Sequence, residues 1–385
     1  MELPEPILPP QTAKPTPLRR ILERMRMTVL ASGSKGNSTV IASANTRVLV
    51  DAGLSCRELL RRLREANEDP AALDAILITH EHQDHIAGLA TLARRLRIPV
   101  FLTEPTHRAW VRMVTPRTTM TYAQWLDHLQ AEKAARAAAA QPADPGAPCL
   151  DSETWEGIAT NPGAPHLGVP GELALGGEHL ASEIWENGAT NLQGSAADPN
   201  PDEDEPPTRA AKPHPSYLPA VEYFHAGAHF SIGDISITPF TIPHDAADPC
   251  GFVFESRSES VRMAIATDLG YMPPNVKSAL KRIDVLLLES NHDLDMLKDG
   301  PYPWAVKQRV LSRVGHLSNP ATAEFLARDY DGGATCIVLG HLSEANNAPE
   351  LALLSAEQAL GHRQTLLGNR VLLAQQSAPL TPICL

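Results

Sequence analysis

Four side chains of metal-ligating type fall within six residues at His80-Glu-His-Gln-Asp-His85, and this clustering constrains the chain more than any other feature. The run before it, Ile76-Leu-Ile78, is continuously apolar, as a buried strand is, and residues 86–96 read as a helix. In an extended segment, residues two apart point the same way, so His80 and His82 can grip one cation together. Asp84 and His85, at the turn into the helix, can face a second cation beside the first. Imidazole and carboxylate donors suit Zn2+ and, less exclusively, Mn2+. A polar loop with three incidental histidines would need ligand type, spacing and strand–loop–helix context to agree by accident.

Polar residues recur where apolar runs end. Asp51 follows a strand expected at 47–50, His244 one at 230–242, Asp268 one at 262–267, Glu289 one at 283–288 and His341 one at 335–339. Strand ends on one edge of a sheet converge on a common crevice. One strand-end histidine is an ordinary core residue; the repetition predicts a site. Asp51 reads either as a carboxylate orienting a neighbouring histidine or as a turn-forming Asp-x-Gly. The loop Ser32-Gly-Ser-Lys-Gly-Asn-Ser38 lets the backbone pass close to a ligand and offers N–H groups to an anion. Gly33, Asn37 and Ser38 are its expected site-lining positions.

The 385 residues suffice for two ordinary domains, or for one large domain with an insertion. Residues 1–26 hold a Pro-rich lead without period, expected to be disordered, and a basic turn. Met25 and Met27 stand at the first expected strand, 27–31, where an alternative start would fall. Strands at 39–42 and 47–50, a helix at 56–66, a short strand at 100–103 and a helix from Pro105 complete a first part, 27–129. Residues 130–217 are rich in Ala, Pro, Gly, Asp and Glu and cannot bury enough apolar surface to offset their ordering entropy. Their 14 acidic and 4 basic side chains hold ten of the twelve net negative charges, so the rest of the chain is nearly balanced. Within this insertion, expected to be disordered, 152–161 recurs as 182–191 with seven of ten residues identical, each copy carrying a Trp. A duplication in a neutral linker is the preferred reading, and a pair of Trp-bearing linear motifs the other. A second part, 218–385, is expected to hold strands at 221–225, 230–242, 251–255, 262–267, 283–288, 335–339 and 370–374. Two helices flank Gly315-His-Leu-Ser318, and another spans 349–360.

Five scattered cysteines without a C-x-x-C indicate a reduced, cytoplasmic chain rather than a disulfide framework. No apolar run is long enough to span a membrane, and no signal-type core opens the sequence. The acidic total excludes a generally basic protein that coats nucleic acid, but not a polyanionic substrate.

His-x-His-x-Asp-His, followed by a lone His, a lone Asp and a lone His at strand ends, resembles the metallo-β-lactamase superfamily. The resemblance implies an α/β fold, a four-layer αβ/βα sandwich interrupted here by the acidic low-complexity insertion, with two divalent metal ions (Zn2+ or Mn2+) at one edge. On that pattern His80, His82 and His244 hold one metal, Asp84, His85 and His341 the other, and Asp268 bridges them. The wording around 32–38, 76–88, 244–251, 266–271, 287–293, 302–304, 315–319 and 339–347 is similar to the WalJ/YycJ-type branch, whose members are 5′-exonuclease-like. Glu289 with Gly315-His-Leu-Ser318 also looks like the paired Glu and His loops of tRNase Z-type phosphodiesterases. That likeness implies His316 as a general acid or phosphate contact oriented by Glu289; the bland reading of His316 is an inter-helix turn. His292 has less support and reads as a turn residue. Asp84, Asp268, Glu289 and His316 are thus the candidate catalytic residues.

The implied activity is a metal-dependent phosphodiesterase acting on DNA from its 5′ end. A small-molecule hydrolase of thioesters, lactones or cyclic phosphodiesters is the alternative, and a non-catalytic metal-binding regulatory module the third reading. Seventy-three positions separate Asp268 from His341, which leaves no room for the domain that β-CASP relatives insert there. The insertion lies where tRNase Z enzymes carry a tRNA-gripping arm, and its acidity would repel phosphates. DNA contact is expected from local cations such as Lys35, Lys307, Arg309 and Arg313. No membrane partner is expected.

Overall fold

Side-chain alternation along the short strands decides the layering. In β3 (Arg47–Val50), Val48 and Val50 enter one apolar cluster and Leu49 another; in β4 (Ala75–Leu77), Ala75 and Leu77 part from Ile76 in the same way. In β11 (Val285–Glu289), Val285 and Leu287 join the cluster of Val48 and Val50, whereas Leu286 and Leu288 enter a third. A strand sends successive side chains to opposite faces, so each sheet has one face on a shared core and one on an outer core. The outer cores are closed by helices. Leu59, Leu60 and Leu63 of α1 (Cys56–Glu65) cover one sheet, with Leu89 and Leu92 of a later helix. Phe325, Leu326, Ala352 and Ala356 cover the other. The result is helix, sheet, sheet, helix.

The structure, a computed structural model, describes residues 25–115, 214–256, 258–361 and 368–385. The remaining strands are β1 (Arg26–Ala31), β2 (Ser38–Ala42), β5 (Val100–Leu102), β6 (Val221–Tyr223), β7 (Phe230–Ile232), β8 (Ile235–Thr241), β9 (Cys250–Ser256), β10 (Arg262–Ala266), β12 (Cys336–Gly340), β13 (Arg370–Leu373) and β14 (Ile383–Cys384). Among the described residues they form two seven-stranded sheets, ordered β14-β1-β2-β3-β4-β5-β6 and β13-β12-β11-β10-β9-β8-β7. Strands β3 to β6 run parallel, as do β10 to β13. Parallel neighbours end on the same side, which gathers their C-terminal loops along one edge.

Several local expectations are corrected. The helix expected at 86–96 is two, α2 (Gln83–Ile86) and α3 (Leu89–Leu96), so Asp84 and His85 lie on a first helical turn. The break falls at Gly88, where a Cβ would stand 2.2 Å from the Leu54 carbonyl oxygen. The strand expected at 230–242 is the hairpin β7–β8, turning at Gly233 with φ 55°. After α4 (Glu104–Val114), the second part adds an unexpected α5 (Pro274–Ala279). Two helices, α6 (Leu294–Asp299) and α7 (Trp304–Val310), precede the Gly315 loop, and α8 (Asn319–Arg328) and α9 (Pro349–Leu360) follow it. Strand β14, also unexpected, pairs with β1.

Arg26 is not part of a basic turn: it opens β1, buried, with Nη2 2.7 Å from Glu68 Oε2. The lead before Met25, and the insertion with its Trp repeat up to Pro213, lie outside the described residues. Cys56, Cys250 and Cys336 are buried free thiols and Cys384 is exposed. No helix among the described residues is long and apolar enough to cross a membrane.

The loop before α1 is pinned to α2. The Asn37 N–H donates to Asp84 O at 2.7 Å and the Gly53 N–H to Asn37 O at 3.0 Å. A Cβ on Gly53 would stand 1.6 Å from Asp84 O, a backbone atom that cannot swing aside. Gly53→Ala is therefore expected to cost about 3 kcal/mol or more, read as a lowered urea midpoint with an unchanged slope.

Candidate metal centre

Asp51 (φ 61°), Asp268 (φ 64°) and His341 (φ 54°) are three of the seven non-glycine residues with left-handed backbone among those described. Each stands just past a strand end, after β3, β10 and β12. Such backbone costs on the order of 1–3 kcal/mol and persists only where the surroundings over-determine it. Here they do. The Asp51 N–H donates to Leu77 O at 2.8 Å, and its carbonyl accepts from Ser38 Oγ at 2.8 Å. The His341 N–H donates to Ser32 Oγ at 2.8 Å, and its carbonyl accepts from Asn291 Nδ2 at 2.7 Å.

His80, His82 and His244 bring donor atoms within 4.8 Å of one another. His244 Nδ1 donates to Gly315 O (3.1 Å), which leaves Nε2 with a lone pair. His82 Nε2 lies 3.3 Å from Asp245 O, which leaves Nδ1 in the same condition. These two nitrogens face each other at 3.2 Å. Facing lone pairs repel unless a cation lies between them, and ligands 2.0–2.1 Å from a tetrahedral zinc stand about 3.4 Å apart. His80 is fully buried, with Nδ1 against Thr79 Oγ1 (3.0 Å) and no hydrogen bond to Nε2. Burial, reinforced by the neighbouring His85, holds its pKa well below 6.5, so it stays neutral and free to bind. The trio fits a divalent metal.

Asp84, His85 and His341 form an adjoining cluster. Asp84 Oδ2 is 3.4 Å from His341 Nε2 and 3.5 Å from His85 Nε2. Asp268 touches both clusters: Oδ2 is 3.4 Å from His85 Nε2, and Oδ1 is 3.5 Å from His341 Nδ1 and 3.9 Å from His244 Nε2. Its Oδ2 is buried without a hydrogen bond, a second vacant donor atom beside His80 Nε2. Burial alone would discharge these groups, but they offset one another. It pushes Asp268 up, and His341 and His85 draw it well below the carboxylate range. It pushes His85 and His341 down, and the surrounding carboxylates, Asp268 foremost, lift both well above 6.5. A dication would bring positive charge to the same place.

Asp51 Oδ2 lies 2.8 Å from His85 Nδ1, and Oδ1 accepts the Thr79 N–H at 2.9 Å. Thr79 was missed in the sequence, although it immediately precedes His80. Its hydroxyl lies within 3.0 Å of both Asp51 oxygens and of His80 Nδ1. Asn37 Nδ2 is 3.1 Å from both Asp84 Oδ2 and His85 Nε2, and Asn37 Oδ1 accepts the Gly33 N–H. Most of the N–H groups expected to cradle an anion are committed within the protein. The N–H groups of Gly33, Lys35, Gly36 and Asn37 donate to Asn37 Oδ1, Gln376 Oε1, Gly33 O and Asp84 O.

Glu289 ends β11 fully buried, with Oε1 2.8 Å from His316 Nδ1 and 2.9 Å from His341 Nδ1. Its Oε2 accepts the N–H groups of Leu269 (2.6 Å) and Leu317 (3.1 Å). Burial would raise its pKa, yet His316 and His341 hold it at about 2. His316 is partly exposed and Nδ1 is engaged, so Nε2 is the atom left to face a ligand. His292 is buried without a partner on either ring nitrogen, and burial lowers its pKa to about 4.

The local cations are largely committed. Lys307 is buried and donates to Lys298 O at 2.6 Å. Arg309 pairs with Asp245 and Lys35 with Glu344, while the Arg313 guanidinium stacks 4.3 Å over Tyr271.

The profile of the metallo-beta-lactamase superfamily matches residues 31–145, and that of the beta-lactamase superfamily domain matches 202–341. Exodeoxyribonuclease WalJ of Streptococcus pneumoniae (strain D39) is 28% identical over 343 residues, 89% of this chain and 91% of its own. Exodeoxyribonuclease YycJ of Bacillus anthracis is 28% identical over 336 residues, 87% of this chain and 89% of its own. The metallo-beta-lactamase fold protein YhfI of Bacillus subtilis superposes with a TM-score of 0.50 at 13% identity, covering 92% of this chain and 99% of that one. With two helix-covered sheets and His/Asp clusters along their common edge, this chain belongs to the metallo-β-lactamase superfamily.

Proposed function

We propose that the protein is a hydrolase of phosphodiesters that works with two divalent ions, Zn2+ or Mn2+, and removes nucleotides from the 5′ end of DNA in the cytoplasm. The observation that carries this reading is the Glu289 carboxylate oxygen shared between His316, 2.8 Å away, and His341, 2.9 Å away. An imidazole oriented by a buried acid beside the His/Asp clusters supports a role in proton transfer. The exodeoxyribonuclease names of relatives aligned over most of both chains support DNA as the substrate.

In this reading His80, His82 and His244 hold one ion, Asp84, His85 and His341 the other, and Asp268 reaches both. Bound divalent ions acidify water and screen charge on the phosphoryl oxygens. Asp51 and Thr79 fix the rings of His85 and His80, so those two ligands need little reorganisation. His316, held through Nδ1 by Glu289, offers its Nε2 proton to the oxygen that leaves phosphorus. Water adds its oxygen to phosphorus and gives up one proton to solvent. The bond from phosphorus to the 3′ oxygen breaks, and that oxygen departs as a hydroxyl with the His316 proton, leaving a 5′ phosphate on the remaining strand. A small phosphodiester is the second reading, favoured by the commitment of Lys307, Arg309 and Lys35 to protein partners.

End-labelled double-stranded DNA distinguishes the two readings. Nucleotide release from the 5′ end should require added Zn2+ or Mn2+ and disappear in His82→Ala. In His316→Ala it should fall about 100-fold or more while metal content is unchanged. Absence of cleavage despite bound metal would move the substrate to a small ester or a cyclic phosphodiester.

Asp268→Ala is expected to lose activity together with at least one metal per chain, measured by elemental analysis after dialysis. An active variant with full metal content would refute the bridging role.

A further inference from the structure

A cleft of about 310 Å3 opens beside His341. Its walls are mainly apolar, with Leu342, Pro349 and Leu373 among them, and Ser32 and Gln375 add polar edges. Ser32 belongs to both cleft and metal centre: its Oγ accepts the His341 N–H at 2.8 Å, and its own N–H donates to Gln375 O at 3.2 Å. The size is at the small end of the about 300–1,000 Å3 usual for ligand pockets, suited to one nucleoside.

The surrounding hydrogen bonds define what is free to recognise a ligand. The Gln376 amide is spent on the Lys35 N–H and the Gly36 carbonyl, at 2.8 and 2.9 Å. The Asn347 amide is spent on Ser290 O, Asn291 O and Asn319. Among the described residues the Gln375 side-chain amide has no partner, and Gln375 is exposed at the rim. Lys35 and Glu344 meet across the same rim as an exposed ion pair, which contributes little and can exchange for a phosphate. Apolar walls, one free amide and an exchangeable ammonium match a base, its polar edge and a phosphate.

The direction of the substrate follows from the two flanks. His316, which protonates the departing oxygen, is followed by Leu317, and Leu317 lines a different cleft with Tyr271 and Phe325. The nucleoside that stays on phosphorus is thus directed to the His341 flank. We propose that the cleft between Ser32, Leu342, Pro349, Leu373 and Gln375 is the subsite for the nucleoside joined through its 5′ oxygen to the scissile phosphate. This rests on the phosphodiesterase reading and adds to it a pocket that selects nucleotide esters over simple ones.

Two esters with the same leaving group test it: thymidine 5′-(p-nitrophenyl phosphate) and methyl p-nitrophenyl phosphate. The wild-type protein, loaded with Zn2+ or Mn2+, should favour the thymidine ester in kcat/KM by about tenfold or more, on the order of what burying a base against Leu342, Pro349 and Leu373 supplies. Gln375→Trp, at an exposed rim position, should fill the cleft and remove that preference while leaving the rate on the methyl ester unchanged. Pro349→Trp, from the opposite wall, should do the same. No preference in the wild type, a preference retained in both variants, or an equal fall on both esters would overturn the subsite. Cleavage of DNA and of the methyl ester without nucleoside preference would sink the subsite alone. Failure to cleave DNA or either ester would sink the phosphodiesterase reading and the subsite with it.

Discussion

The sharing of buried carboxylates among imidazoles is the constraint on which the site depends. Asp51, Asp268 and Glu289 are nearly or fully removed from solvent, where an unpaired ion costs several kcal/mol even after relaxation. None is unpaired. Glu289 divides one oxygen between His316 and His341 and gives the other to two backbone N–H groups. Asp51 serves His85 and Thr79, and Asp268 lies among His85, His341 and His244. Moving any one carboxylate would strand at least one imidazole, so the cluster is set as a unit. This explains why left-handed backbone is tolerated at Asp51, Asp268 and His341: each of these strained residues contributes a side chain to the shared network.

Strand register turns that demand into geometry. In the second sheet Leu288 is level with Leu339 and Glu289 with Gly340, so His341 follows the residue directly beside Glu289. Ala266 is level with Leu288, which places Asp268 across the same edge. In the first sheet Val50 is level with Leu77, and the next residue, Asp51, meets Thr79 just beyond. A buried amide network then ties the loops that leave these strands. Asn319 and Asn347 bond each other, Ser290 Oγ donates to Asn319, and Asn291 holds the His341 carbonyl. Such a network stabilises only when its members are satisfied together, which couples the position of His341 to the start of α8.

What was legible in the sequence was what local pattern encodes. The apolar runs gave the strands because a strand buried on both faces, as β4, β11 and β12 are, is apolar along its length, and α9 spans the expected 349–360. The loop at 80–85 announced itself because ligand-type side chains at such density have no ordinary structural use. The misses depended on contacts distant in sequence. Position 88 has to be glycine because the Leu54 carbonyl lies where a Cβ would stand, and nothing near Gly88 in the sequence says so. The loop at 32–38 keeps few free N–H groups, and one of its donors is taken by Gln376, more than 300 residues on. Lys307 read as a surface cation and is buried against Lys298 O. Thr79 was overlooked because a hydroxyl carries no ligand signature until its neighbours are in place. The hairpin at Gly233 is different: Gly233-Asp234 is a local turn signal inside a run read as one strand.

Substrate binding gains little from the charge of the chain outside 130–217, which is nearly balanced. The net charge is −12, and the cations nearest the site already face carboxylates: Arg309 has Asp245, and Lys35 has Glu344. A protein that holds DNA through its backbone presents free Lys and Arg groups and gains affinity from released counterions. Here a phosphate contact by Arg309 or Lys35 would first exchange an ion pair, and the net gain from those two is correspondingly small. Under the proposed function, affinity would come from the reacting phosphate itself, where bound divalent ions would concentrate positive charge, and from surfaces that take bases rather than phosphates. Under that reading such a site would suit a chain end, which it can engage a few nucleotides at a time. The interior of a duplex, gripped through many phosphates at once, would gain less from such a site.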